Sequence, residues 1–506
     1  MKGSYGTMTV PVGGEERPLR ATRIVATVGP WAEDRVRLGR LLEAGVNVVR
    51  LNGAHVKPGE ILRRVATVRS LEPELNRPVG VLLDLGGPKI RVAALAEGAE
   101  WPEGAEVEIV PGAGAGAGPR IFVTYPTLLD DVHPGETVLI DDGKLRLSVT
   151  GRRKGALVCR VVVGGKVRSG AGVNFPHSTL SAPPLTPKDR RDLKEGLEAG
   201  VDFVGLSFVR SAKHVALLRK LIDVAPPLKR PWIVAKIERP EAILYLEEIA
   251  RAADVLMVAR GDLGVEMGLA AVPALQRRIL ATGRRLSVPV IVATQMLESM
   301  IESPVPTRAE VSDVAGAVSD GADAVMLSGE TATGKHPLEA VRAMDEIVRV
   351  AEEAPREGGV PQARETRNID SVVAAIAADA ARLSDAKALV VYTQSGRTAR
   401  LLSKSAGVAT IVALTPDEEV RRKLTVLRDV VSFRIPVQTT VESMLAAGEE
   451  ALSRVPRLAG ATVVEVSGEA AAQGATNTVR IRRLPPPAVS APRSRSRRRA
   501  KEGGEA

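Results

Sequence analysis

The stretch WIVAKIERPEAILYLEEIARAADVLMVARGD, Trp232–Asp262, contains the unit from which most of the chain is built. A short apolar run (Trp232–Ile237) leads through a polar turn into an amphipathic helical stretch (Ala242–Ala252), then into a second apolar run (Val255–Val258). Runs this short and nearly continuous suit strands buried on both faces of a parallel sheet. The same unit recurs outward in both directions. Apolar runs fall at Thr22–Val28, Val46–Leu51, Val79–Leu83 and Val201–Leu206 before it, and at Pro289–Ala293 and Ala324–Leu327 after it. Helical stretches such as Arg35–Ala44, Asp189–Ala199 and Pro337–Ala351 separate them. Eight strand-then-helix units in succession predict an α/β fold, a closed (β/α)8 TIM barrel over 21–88 and 185–352.

The pattern breaks after the third strand. From 89 to 184 helical periodicity gives way to short alternating runs, Val107–Val110, Val138–Ile140, Leu145–Val149 and Leu157–Val163, punctuated by Gly and Pro. These read as hairpins of an inserted small β-barrel domain, with Gly112–Gly118 as a flexible loop inside it. An insertion in a βα loop sits over the mouth of a barrel, where it can act as a lid. A charged linker near Glu352–Arg367 precedes a second α/β domain over 366–484, with helix Ser371–Leu383 and strands near Ala388–Tyr392, Thr410–Leu414, Val430–Phe433, Thr462–Val466 and Thr478–Ile481. Residues 1–20 form an N-terminal extension, and 485–506 read as a disordered basic tail.

Bulk numbers exclude several classes. Hydrophobic residues make up 44% of the 506 and aromatics 2%, so the cores must be aliphatic. Charges interrupt every apolar run before bilayer length, and Met1–Arg20 lacks a secretion signal. The single cysteine, Cys159, rules out an intramolecular disulfide framework. A cytoplasmic protein with no membrane partner is expected. The tail supplies a net +4 of the chain's +10, through Arg493, Arg495, Arg497, Arg498, Arg499 and Lys501 against Glu502 and Glu505. Any nucleic-acid contact is therefore expected through the tail alone, because the body has few aromatics to interleave with its basic residues.

A barrel carries its chemistry just past the C-terminal ends of its strands. Those positions hold Arg50 and Asn52, Asp84, Ser207 and Phe208, Lys236 and Glu238, Arg260 and Asp262, Thr294 and Gln295, and Ser328 and Glu330. Glu238 and Asp262, on adjacent strands, can hold a hard divalent cation, with Lys236, Arg50 and Arg260 bringing positive charge beside them. One strand-end Lys or Asp alone is more often a solvated rim or a structural ion pair. So many compatible groups at successive strand ends instead imply an anionic, phosphorylated substrate bridged by Mg²⁺.

The segments RLNGAH (Arg50–His55), DLGGPKIR (Asp84–Arg91), AKIE (Ala235–Glu238), MVARGDLGVE (Met257–Glu266), ATQMLESM (Ala293–Met300), PTRAEVSDVA (Pro306–Ala315) and MLSGETA (Met326–Ala332) resemble, in order, the signature segments of the pyruvate kinase family. The resemblance runs from about Thr22 to Arg483 and implies phosphoryl transfer from phosphoenolpyruvate to ADP, the last step of glycolysis. It implies Glu238 and Asp262 as ligands of Mg²⁺ or Mn²⁺, and Lys236 and Arg50 as stabilisers of the transferring phosphoryl group. Gly261 and Asp262 N–H groups would receive the substrate carboxylate. Thr294 would lie near the enolate carbon, in a proton relay with Ser328. Asn52, His55 and Arg91 would approach ADP. The loop YTQSGRTAR resembles an effector phosphate loop, so Thr393, Ser395, Gly396, Arg397 and Thr398 would take a sugar phosphate or nucleotide monophosphate; a Ser/Thr/Gly loop before a helix is equally an ordinary cap. A homotetramer is also implied.

The chain departs from the family's potassium-dependent members at the monovalent-cation site, formed by Asn52, Asp84, Leu85 and Lys89 here. Ala54 replaces a serine, Leu85 a threonine and Lys89 a glutamate. Oxygens are lost and an ammonium is gained: with Lys89 as an internal cation this predicts activity without K⁺, whereas a Lys89 turned to solvent would leave the site simply degraded. Arg239 replaces a more usual Asn, and Gly460–Thr476 is shortened. Two other readings stand beside this one: a Mg²⁺-dependent TIM-barrel lyase or aldolase acting on pyruvate enolate, and a nucleic-acid-binding protein working through its tail.

Overall fold

The computed structural model describes residues 9–12, 15–18, 20–96, 99–353, 368–405, 409–438, 440–453, 455–468 and 476–486. The linker centre at 354–367, the segment 469–475 and the basic tail beyond 486 lie outside the described residues.

Eight parallel strands close into the expected barrel: Arg23–Thr27, Val48–Asn52, Gly80–Asp84, Phe203–Leu206, Trp232–Ile237, Val255–Ala259, Val290–Ala293 and Ala324–Leu327. Closure is made by the last strand pairing with the first, Ala324 opposite Arg23 and Leu327 opposite Ala26. Side chains alternate between two buried environments. Ile24, Val49, Val81, Val204, Ile233, Val258, Val292 and Val325 pack outward against the helix ring. Val25, Val48, Leu82, Phe203, Val234, Met257, Ile291 and Met326 fill the interior. Strands apolar on both faces are therefore required, and the charges cluster at strand ends.

The inserted domain is a six-stranded mixed sheet whose spatial order is Val173–Asn174, Thr137–Ile140, Leu145–Arg153, Ala156–Val163, Glu106–Pro111 and Arg120–Val123. The entering segment bonds to both sheet edges: Ile90 O accepts from Val173 N–H, Arg91 O from Thr124 N–H, and Ala93 N–H donates to Phe122 O. Those bonds curl the sheet into a small barrel around Ile109, Ile121, Leu147, Leu157, Cys159 and Phe175. The glycine run is more ordered than its composition suggests. Gly116 bonds to Ala94 O and Ala96 N–H, and a Cβ on Gly114 would stand 2.8 Å from the Phe122 ring. Packing against the domain, rather than flexibility, is what glycine allows there.

The C-terminal sheet runs Val430–Arg434, Thr410–Thr415, Ala388–Tyr392, Thr462–Gly468 and Thr476–Arg483, with the last strand antiparallel. This domain closes the end of the barrel opposite the strand C-termini, and the interior cluster continues into it through Leu424, Leu427 and Leu402. Buried polar bonds fix the junction. Arg23 Nε donates to Leu427 O (2.8 Å), Arg428 Nη1 to Thr22 Oγ1 (2.6 Å), and Lys404 pairs with Asp323. Asp323 also receives Val290 N–H at 2.7 Å, so one carboxylate joins two barrel strands to a C-terminal helix. Among the described residues no helix is long and apolar enough to cross a membrane.

Removing one partner of a buried pair leaves the other charged and unsolvated. Lys404→Ala is expected to lower unfolding stability by about 3–5 kcal/mol, measured by urea denaturation, with Asp323→Asn in the same chain recovering part of the loss.

Candidate active site

The eight strand C-termini surround a cup beneath the lid, and ion pairs across its floor hold the strands in register. Lys236 Nζ lies 2.9 Å from Glu238 Oε1 and 3.4 Å from Asp84 Oδ1, and donates to Ser207 Oγ at 2.8 Å. Asp84 Oδ2 accepts from Arg50 Nε at 2.8 Å and lies 2.7 Å from its Nη2 in an ion pair. Arg50 Nη1 reaches Thr27 Oγ1 at 2.9 Å, and that hydroxyl donates to Leu327 O at 3.0 Å. The chain of contacts thus passes from the eighth strand through the first, second and third to the fifth.

Local backbone makes room for it. A Cβ on Gly205 would come within 2.6 Å of Asp84 Oδ1, so glycine is needed where the carboxylate crosses the neighbouring strand. Phe208, just past the fourth strand, has φ +54° and turns its N–H onto Glu238 Oε2 at 2.6 Å. A left-handed phenylalanine is strained, and strain of this kind concentrates at functional sites.

Burial alone would lower the Lys236 ammonium, but Asp84 and Glu238 outweigh it and hold its pKa above the usual lysine range. Burial would raise Asp84, yet Lys236 and Arg50 hold it below the ordinary carboxylate range. Glu238 is pushed upward by full burial and by Asp262 nearby, with Lys236 pulling the other way. A cation beside the two carboxylates relieves that conflict.

The donor set fits a hard metal. Among the described residues no cluster of three or more His, Cys, Asp or Glu could enclose an ion. Glu238 Oε1 and Asp84 Oδ1, apart from their ion pairs with Lys236, have no hydrogen-bond partner, and Asp262 is partly exposed nearby. Two carboxylates leave positions for substrate oxygens and water, the arrangement Mg²⁺ favours.

Other expected residues are placed as follows. Thr294 (φ +67°) accepts Gly261 N–H at 2.8 Å and donates to Ala293 O at 2.6 Å. Ser328 Oγ makes no direct hydrogen bond to Thr294 or to any other described group, and Ser328 N–H goes to Glu330. Arg260 does not add free charge to the cup. It is buried against Asp313 (2.8 and 2.7 Å) and the carbonyls of Thr294 and Gln295, bracing the seventh strand's end. Asn52 Oδ1 caps Ala54 N–H, His55 is exposed beside it, and Arg91 Nη1 bonds to Gly170 O at the lid's root. Lys188, which sequence reasoning missed, donates to Gly53 O (2.6 Å) and so joins the Asn52–His55 loop. Its one signal is the Thr186-Pro-Lys-Asp capping box that opens helix Pro187–Ala199.

Where a monovalent-cation site is expected, Leu85 is buried among apolar residues, and its carbonyl is taken by Ser207 Oγ at 2.8 Å. Lys89 Nζ lies 3.8 Å from Asp262 Oδ1. In the C-terminal domain, Thr393, Ser395, Arg397 and Thr398 line a cleft with Asp370 and Gln438. Gly396 (φ +81°) turns the loop, and Thr393 Oγ1 accepts its N–H at 3.0 Å.

A (β/α)8 barrel with a lid and a buried lysine between carboxylates past its strand ends suits a phosphotransferase acting on an anionic substrate. Comparison with known proteins narrows the class. The family models described as pyruvate kinase, barrel domain, and pyruvate kinase, alpha/beta domain, match residues 19–341 and 371–482. The pyruvate kinase of Methylorubrum extorquens is 40% identical over 91% of this chain and 97% of its own length. That of Mycobacterium tuberculosis H37Rv is 42% identical over 92% and 98%. The crystal structure of a pyruvate kinase from Cryptosporidium parvum superposes with a TM-score of 0.86 at 31% identity, covering 92% of this chain and 96% of the other. The chain belongs to the pyruvate kinase family.

Lys236→Met removes the charge at the centre of the cup while keeping most of its volume. Turnover is expected to fall by about 10³-fold, with circular dichroism and the thermal midpoint showing a folded protein.

Proposed function

We propose that this chain transfers the phosphoryl group of phosphoenolpyruvate to ADP, giving pyruvate and ATP, with the strand-end cup as the reaction site. The observation that carries the reading is Lys236, held cationic between Asp84 and Glu238 at 3.4 and 2.9 Å. Phosphoryl transfer needs positioning and charge neutralisation more than covalent help. Lys236 and Arg50 neutralise the phosphoryl oxygens as they pass from donor to acceptor. Glu238 and Asp262 would hold Mg²⁺ or Mn²⁺, and the chemistry such an ion would supply is Lewis-acid charge stabilisation. Gly261 and Asp262, opening helix Arg260–Met267, seat the substrate carboxylate, and Thr294 orients the enolate end. Asn52, His55 and Arg91 meet ADP under the lid.

Lys89 supports independence from K⁺. Its ammonium reaches toward Asp262 instead of extending away from the cup, and the neighbouring Leu85 and Ala54 offer no side-chain oxygen. The loop at Thr393–Thr398 serves as a phosphate-effector site, with Arg397, paired to Asp370 at 3.3 Å, as its exchangeable cation. Ile369, Val372, Ile376 and Leu383 form an exposed apolar stripe on helix Ile369–Leu383, close to the edge strand Thr476–Arg483. That face supports assembly of copies into a homotetramer. The reading places the enzyme in the cytoplasm.

Initial pyruvate formation from phosphoenolpyruvate, ADP and Mg²⁺ in buffer free of K⁺, Na⁺ and NH₄⁺ tests it. ADP-dependent turnover that KCl leaves unchanged is expected, with Lys89→Glu acquiring a K⁺ requirement. A parent chain that needs KCl would refute the Lys89 role, and pyruvate release without ADP would favour the lyase. Arg397→Ala is expected to abolish activation by fructose bisphosphate, glucose 6-phosphate or AMP at unchanged basal rate.

A further inference from the structure

Arg239 has no part in the chemistry described so far, yet its surroundings are unusually specific. The side chain is 4% exposed, with Nη1 2.8 Å from Glu266 Oε1 and Nε 3.3 Å from Glu241 Oε2. Its Nη2 donates to Ser178 O at 3.1 Å. Glu266 is itself 1% exposed; the same Oε1 accepts Asn174 Nδ2 at 2.8 Å, while Oε2 is buried without a hydrogen bond. Asn174 ends the last lid strand, opposite Leu139. Ser178 continues the return from lid to barrel, and its hydroxyl donates to Glu136 in the lid at 2.6 Å. One buried cation–carboxylate pair therefore holds the lid's return segment at two points.

The other side of the pair leads to the metal seat. Arg239 directly follows Glu238 in the chain. Glu266 lies four residues from Asp262, about one turn along helix Arg260–Met267. The pair also borders a cleft between lid and barrel whose walls include Lys89, Ile90, Phe175 and Phe208. The return segment is thus linked to both carboxylates by two routes, each a hydrogen bond followed by a short stretch of chain: Ser178 to Arg239 and Glu238, and Asn174 to Glu266 and Asp262.

We propose that Arg239 is a positioning residue that couples the pose of the lid to the metal seat through Glu266, Asn174 and Ser178. The planar guanidinium meets acceptors on three separate segments at once, which a lysine ammonium cannot match. A buried ion pair is weak evidence of stabilisation, since apolar residues of similar volume serve stability as well. What such a pair fixes is relative position, and a lid must shut over a correctly set site for transfer to proceed without hydrolysis. The inference rests on the reading of Glu238 and Asp262 as the metal side.

The full chain and its Asn174→Ala, Arg239→Lys and Arg239→Gln variants would be compared by hydrogen exchange and by Mn²⁺ titration without substrates, followed by electron paramagnetic resonance. Asn174→Ala cuts the lid contact without leaving a buried charge, so it remains informative if Arg239→Gln does not fold. Faster exchange across 173–178 is expected in Asn174→Ala and Arg239→Lys, together with Mn²⁺ binding weakened by about tenfold, the lower end for outer-shell changes. The KM for ADP is expected to rise in parallel while kcat at saturation holds. Faster exchange with Mn²⁺ binding unchanged would overturn the coupling and leave a lid clamp. No change in either measurement would reduce Arg239 to a packing residue. A parent chain that binds Mn²⁺ but forms no pyruvate would overturn the phosphotransfer reading while leaving the coupling result intact.

Discussion

The buried Lys236 ammonium is the interaction on which the rest depends. A cation so enclosed is stable only if carboxylates from other strands reach it, and Asp84 and Glu238 do so at 3.4 and 2.9 Å. Their negative charge requires Arg50, which in turn requires Thr27. Each dependence crosses from one strand to another, so the charge pattern has meaning only once the eighth strand has paired with the first. The same demand explains Gly205, whose missing side chain admits Asp84, and the left-handed Phe208, whose N–H meets Glu238.

The flanking domains serve this cup from opposite ends. The C-terminal domain seals the barrel's far end with apolar packing and buried pairs such as Lys404–Asp323, which keeps the strand register rigid. The lid is attached differently. Its entering and returning segments run side by side, closed on themselves by backbone bonds and tied to the barrel through few polar contacts, among them Arg239 to Ser178 and Glu266 to Asn174.

Much of this was legible in residue order. The apolar runs at Trp232–Ile237 and Ala324–Leu327 coincide with strands, because double-sided burial leaves an uninterrupted signal. The charged strand ends were visible for the same reason: a charge directly after such a run marks the barrel's rim. Arg260 shows the limit. It occupies a rim position like Lys236, yet it turns back onto Asp313 and two carbonyls. Lys188 shows the converse, lying outside every rim segment but reaching Gly53 O. The ordering of the glycine run, through Phe122 and Ala94, was likewise invisible to composition.

By itself the sequence determined the repeated strand-and-helix unit, the inserted β domain, the appended α/β domain and the residue types at the barrel's mouth, because periodicity and turn chemistry act over a few neighbouring residues. Only the tertiary structure decided which of those charges face one another, that Thr294 accepts from Gly261, that Lys89 reaches Asp262, and that Arg239 joins the lid to the barrel. These are pairings between residues tens to hundreds of positions apart, selected by closure of the barrel and by the cost of leaving a buried charge unmet.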